Sequence, residues 1–185
     1  KPRGGGALGR DWYQAGVEPR KANTWKDMIA CSEALISGGY TSPAKLAIQG
    51  TSMGGVAVGR AVTERPALFA VAVVRVGITD AVRFIEASPN GPNHEAEMGS
   101  VKTEAGVRHF LAMSSYHHSV AGQSYPAMLF TPALHYNRLA PCIPLKTSAR
   151  WPPTSSPHRP PLLPYPRHRG PGCSPTPRTT HTAPA

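Results

Sequence analysis

The short run Gly50-Thr51-Ser52-Met53-Gly54-Gly55 sets a serine among glycines between two apolar stretches of different period. The pattern G-x-S-x-G is that of a nucleophile elbow, in which a sharp strand-to-helix turn lifts a serine hydroxyl clear of the sheet. The glycines have a physical reason there. Without Cβ atoms, Gly50 and Gly54 let strand and helix pass closely around the strained serine, and Gly55 is the third glycine of the elbow. The N–H of Met53, at the helix start, would point where an oxyanion develops, with the helix dipole behind it. A tight turn with no chemistry is the competing reading, because small residues before helices are common. An apolar strand before the motif and an amphipathic helix after it are the context that the elbow requires.

An elbow serine needs a base and a carboxylate that orients it. In folds with this elbow the chain order is serine, acid, histidine. The last apolar strand, 127–131, runs into Pro132-Ala133-Leu134-His135-Tyr136-Asn137-Arg138, which holds no carboxylate, and no acid follows Glu104. His94, His109, His117, His118, His135, His158, His168 and His181 follow Ser52. The adjacent His117 and His118 read as a solvated loop pair, and no histidine is assigned as the base. Cys31, Cys142 and Cys173 are scattered and lack metal-ligand spacing. No metal, cofactor or disulfide framework is expected, and a reducing compartment is favoured.

The elements that must position the serine follow from periodicity. Residues 23–37 read as a helix, capped by Asn23 or Thr24 and stopped by Gly38-Gly39, with Trp25, Met28, Ile29, Leu35 and Ile36 on one face. A strand at 46–49, a helix at 53–64 and a continuous apolar strand at 69–76 come next. The last lacks alternation, which argues for a parallel sheet covered on both faces. Residues 88–100 read as a loop, 103–113 as a helix and 127–131 as a strand. Alternating strands and helices predict an α/β fold with a mostly parallel sheet and flanking helices.

Composition divides the chain near residue 140. Of 21 prolines among 185 residues, 13 lie in 141–185, and all 10 acidic residues lie before 141. The net charge of +10 is therefore +4 from the first 140 residues (14 basic, 10 acidic) and +6 from the last 45. The basic excess is a property of the tail, and without an aromatic-interleaved basic stripe it does not argue for nucleic acid. No apolar stretch reaches membrane-span length, and the opening Lys1-Pro2-Arg3 is not a leader sequence. A cytoplasmic location without membrane partners is the expectation. Residues 1–140 read as a partial catalytic domain and 141–185 as a disordered Pro/Arg-rich tail.

Several segments together resemble the catalytic domain of the prolyl oligopeptidase family of serine peptidases. They are "RGGGALGRDWYQAG" (3–16), "YTSPAKLAIQGTSMGG" (40–55), "RPALFAVAV" (65–73), "SPNGPNHEAEMGSVKTEAGVRHFLAMSSYHHSV" (88–120) and "YPAMLFT" (125–131). The resemblance implies a partial α/β-hydrolase fold acting on short peptides, with an N-terminal β-propeller in complete members. It places the nucleophile at Ser52 and an oxyanion donor at the Met53 N–H, where an asparagine often stands. Arg138 falls where the family contacts the peptide carbonyl beside the scissile bond, and Leu139 where it has a small apolar pocket residue. Tyr136 falls where the family has its catalytic aspartate. The family's histidine sits in a Gly-His-Gly-like loop, where this chain has "RHRGPGCSP". Peptide hydrolysis is thus expected by family, and weak or absent activity in this chain. An inert fragment, a small-ester hydrolase and a Pro-rich binding segment are the alternatives. The abrupt change after Pro141 to an acid-free, proline-rich stretch without periodicity is what a coding sequence read in a shifted frame would give.

Overall fold

The structure is a computed structural model that describes residues 1–133 and 139–151. Its elements are α1 (Arg10–Gln14), α2 (Ala22–Ser37), β1 (Ala47–Thr51), α3 (Gly54–Glu64), β2 (Val71–Arg75), α4 (Ala81–Ala87), α5 (Glu95–Met98), α6 (Glu104–Met113), β3 (Ala127–Thr131) and α7 (Cys142–Arg150). The three strands form one sheet in the order β1-β2-β3, with both pairings parallel. Gly50 pairs with Val74 and Val74 with Phe130, so the C-terminal ends of all three strands share one rim. The strand-helix alternation produces this geometry, because parallel neighbours need a crossover between them.

Burial alternates along each strand. Ile48, Gly50, Ala72, Val74, Met128 and Phe130 form the buried face. Val71 and Val73 are only half-buried and Arg75 is exposed. This corrects the expectation that 69–76 is covered on both faces: among the described residues, helices close over one face. α3 lies over β1 and β2 with Val56, Val58, Ala61 and Val62 buried, and Trp151 lies over Phe130 with ring centroids 5.8 Å apart. α2 packs on α3 in turn. The Trp25 indole N–H donates to Glu64 Oε2 (2.9 Å), and the Arg60 guanidinium sits 5.2 Å above the Trp25 ring.

α2 ends as its sequence demands. Gly39 adopts φ 73°, and the Tyr40 N–H reaches back to the Leu35 carbonyl (3.0 Å), the left-handed termination that glycine permits. Its start differs from expectation. The helix begins at Ala22 without a side-chain cap, while Asn23 donates to the Ala15 carbonyl and Thr24 to the Arg3 carbonyl. Leu35 is also exposed instead of sharing the buried face. The segment 88–100 is not wholly loop, since it contains a 3-10 turn at Pro92–His94 and α5.

The larger correction lies after Pro141. Residues 142–150 form α7, with Ile143, Pro144 and Thr147 buried, and Trp151 stacks on Tyr125 at 5.2 Å. The ordered unit therefore extends through Trp151. The prolines are compatible with this because Pro141 is the N-cap and Pro144 lies in the first turn, where backbone N–H groups lack helical partners anyway. The remainder of the expected tail, 152–185, lies outside the described residues. Among the described residues no helix is long and apolar enough to cross a membrane.

Candidate active site

β1 ends at Thr51 and α3 begins at Gly54, leaving Ser52 and Met53 as the turn. Ser52 has φ 53°, in the left-handed region that non-glycine residues seldom enter. Three backbone bonds hold it there. Its N–H donates to the Arg75 carbonyl (3.0 Å), and its carbonyl accepts from Ile78 N–H (3.0 Å) and Gly55 N–H (2.9 Å). The loop after β2 thus clamps the turn from one side. That loop is itself bent, with Val76 at φ 39° and its N–H on the Thr131 carbonyl (3.0 Å).

Two glycines make the close approaches. A Cβ at Gly50 would fall 2.3 Å from the Gly54 carbonyl oxygen and 2.8 Å from Val58 Cγ2. A Cβ at Gly55 would fall 2.6 Å from Gly77 Cα. This corrects the expectation for Gly54, where a Cβ would meet nothing within 4 Å. The close passage of strand and helix therefore depends on Gly50 and Gly55, with Gly54 contributing its carbonyl as the contact surface.

Ser52 and Met53 are both partly exposed, and neither the Ser52 hydroxyl nor the Met53 N–H bonds to any described residue. Met53 is already helical (φ −57°, ψ −27°), so its N–H is one of the unpaired donors at the N-terminus of α3. A cleft of ≈ 430 Å³ opens beside it, between Met53, Gly54 and Ala57 on one wall and Gly4, Gly5 and Ala7 on the other. The glycine loop that forms the second wall is anchored. Arg3 N–H and Nε both reach Asp27 Oδ2 (2.8 and 2.9 Å), and a Cβ at Gly16 would fall 2.4 Å from Gly4 N. Hydrogen bonding from Arg3 holds the Asp27 carboxyl below its ordinary 3.8 and raises the Arg3 guanidinium in return. At the floor, Lys21, only 4% exposed, pairs with Glu97. Of the four charged residues lining the cleft, Arg3, Lys21 and Glu97 are thus paired, while Lys1 has no ion pair among the described residues.

The described histidines do not meet the serine. His94 Nε2 lies 3.1 Å from Asn90 Nδ2, with its ring against Phe84 at 5.3 Å. His109 carries a buried Nε2 with no hydrogen-bond partner among the described residues, and burial lowers its proton affinity below the ordinary 6.5 against the opposing charge of Glu18. His117 and His118 both turn onto Ser114, through its Oγ (2.7 Å) and its carbonyl (2.9 Å). No hydrogen bond links any of the four, or any described carboxylate, to Ser52. Tyr136 and Arg138 lie outside the described residues, and Leu139 is buried, 4% exposed. Among the described residues no three His, Cys, Asp or Glu side chains cluster as metal ligands would.

Sequence reasoning missed the clamp at Ile78 and the cleft wall at Gly4 and Gly5. The glycine-rich stretch at 3–6 signalled a loop, but its approach to Met53 needs the Arg3–Asp27 anchor, which spans 24 residues.

The sequence profile of the Prolyl oligopeptidase family matches residues 1–153. The chain is 34% identical over 148 residues to the prolyl endopeptidase of Elizabethkingia miricola, covering 80% of this chain and 21% of that protein. It is also 34% identical over 150 residues to Protease 2 of Moraxella lacunata, covering 80% and 22%. Among solved structures, it resembles a prolyl endopeptidase with TM-score 0.78 at 36% identity, covering 81% of this chain and 22% of that one. Oligopeptidase B from Leishmania major superposes with TM-score 0.77 at 32% identity, covering 80% and 21%. The chain thus spans about a fifth of the length of the relatives it matches.

Proposed function

The chain belongs to the prolyl oligopeptidase family, with a partial α/β-hydrolase fold, and on that premise we propose that Ser52 is the nucleophile of a serine peptidase acting on short peptides, on the carboxyl side of proline or a related residue. The observation that carries the reading is Ser52 at φ 53°, with neither its hydroxyl nor the neighbouring Met53 N–H bonded to any described residue. Backbone strain at a functional residue persists only where the surroundings enforce it, and the three bonds and two glycine contacts enforce it here. In the reaction the Ser52 oxygen adds to the scissile carbonyl as its proton passes to water, the Met53 N–H faces the oxyanion that forms, and collapse of the adduct expels the amine with a proton returned from solvent. Arg138 would hold the neighbouring peptide carbonyl and Leu139 would contribute to the side-chain pocket. A complete parent would carry an N-terminal β-propeller.

As this chain stands, hydrolysis should be slow. By the family resemblance Tyr136 falls where the triad carboxylate is expected, and no described histidine hydrogen-bonds to Ser52. An incomplete triad leaves only oxyanion stabilisation and binding, roughly 10³–10⁴-fold over water in enzymes of this mechanism. A fluorophosphonate probe at high concentration, with the adduct mapped by mass spectrometry, tests the proposal. Slow phosphonylation confined to Ser52 and absent in Ser52→Ala is the expected result. An adduct elsewhere, or equal labelling of the two proteins, would remove Ser52 from the role.

A further inference from the structure

The loop that clamps Ser52 is itself held from behind by α7, through a cluster of charges that the proposed chemistry does not use. Asp80 is 1% exposed. Its Oδ1 accepts from the Arg83 N–H (3.0 Å), and its Oδ2 pairs with Lys146 of α7. Beside it, Thr79 Oγ1 lies 2.8 Å from Thr147 Oγ1 and 3.2 Å from the Ile143 carbonyl. The Tyr116 ring underlies two cations of the same helix, Lys146 Nζ at 4.1 Å and Arg150 Cζ at 5.0 Å from its centroid. One buried carboxylate thus balances the positive end of α7. His117 borders the same carboxylate, with Nδ1 4.0 Å from Asp80 Oδ1 and its ring edge-on to Tyr116 at 5.1 Å.

We propose that this junction is a pH-sensitive latch: protonation of His117 crowds a further cation around Asp80 and weakens the docking of α7 on residues 78–80. The groups facing His117 are Asp80 from the loop before α4, Lys146 and Arg150 from α7, and its own neighbours Tyr116 and His118. Burial of its inward side is the largest influence and lowers its proton affinity below the ordinary 6.5. Asp80 pulls the other way, while Lys146, Arg150 and His118 add to the lowering. The sign follows from linkage. Because Lys146 and Arg150 belong to α7 and both lower His117, the ring binds fewer protons when α7 is docked, so docking is favoured above about pH 6.5 and weakened as pH falls through the folded value. Because Ile78 N–H bonds the Ser52 carbonyl, the latch reaches the elbow within two residues.

Hydrogen exchange on the full chain tests this, with α7 protection taken relative to α3 and corrected for intrinsic rates. One proton can change the ratio by at most about tenfold per pH unit. Between pH 7.5 and 5.5 the ratio should fall by about threefold to tenfold, that ceiling being reduced because His117 is partly exposed. The fall should vanish in His117→Gln and persist in His118→Gln. A flat ratio in the wild-type chain, an unchanged slope in His117→Gln, or its loss in His118→Gln overturns the proposal. If His117→Gln fails to fold, NMR titration of the wild-type chain decides. A common midpoint for the His117 ring and the α7 amides supports the latch, and separate midpoints refute it.

Discussion

Replacing Ser52 with glycine should stabilise the folded chain, although it deletes the proposed nucleophile. The residue sits at φ 53°, and its hydroxyl has no partner among the described residues. A left-handed conformation costs an L-residue about 1–2 kcal/mol. Glycine escapes that cost but gives back about 0.5–1 kcal/mol through its greater freedom in the unfolded chain. The net gain is therefore on the order of 1 kcal/mol. For a urea dependence of about 2 kcal/mol/M this moves the unfolding midpoint up by about 0.5 M. Ser52→Ala is the control, because it removes the hydroxyl and keeps the backbone penalty; its midpoint should match the wild type. Equilibrium unfolding followed by tryptophan fluorescence reads all three proteins. A Ser52→Gly midpoint at or below that of Ser52→Ala would mean that the turn is unstrained, and the argument for an enforced nucleophile would fail with it.

Gly50→Ala tests the other half of the elbow: its Cβ would fall 2.3 Å from the Gly54 carbonyl oxygen. A loss of about 3 kcal/mol is expected, at the upper end for overpacking a core, and an unchanged melting temperature would show that α3 can shift away freely. The Arg3–Asp27 anchor sets an acid limit on the cleft wall. The depressed Asp27 carboxyl contributes stability above its ordinary 3.8 that is lost as pH falls through its folded value. Asp27→Asn should therefore lower the melting temperature at pH 7 and flatten its dependence below pH 4, and parallel curves for the two proteins would contradict this.

What the sequence disclosed was local, and what it hid was long-range. Strand β3 falls on the expected residues 127–131, and α3 and α6 each begin one residue later than expected, because their apolar periods are strong. Thr103, read as the first residue of that helix, instead caps α6, accepting from the Gly106 N–H at 3.1 Å. α7 was invisible because two prolines and an acid-free context resemble a disordered tail. Its partners Asp80, Thr79 and, for Trp151, Tyr125 lie 26 or more positions earlier in the chain. The serine turn was legible as a motif. The residues that strain it, Arg75 and Ile78, were not, since nothing in a loop sequence says which carbonyl it will grip.

Within the described residues β2 alone has a neighbour on each side; β1 and β3 are bonded along one margin only. The free margin of β1 runs directly to the serine turn. Among the described residues no strand pairs with that margin, and proteins usually blunt such margins with charges, prolines or cover. Ala47–Thr51 carries neither charge nor proline. Self-association through this margin would bring a second polypeptide alongside the elbow, so the monomer content of a preparation governs any rate measured at Ser52.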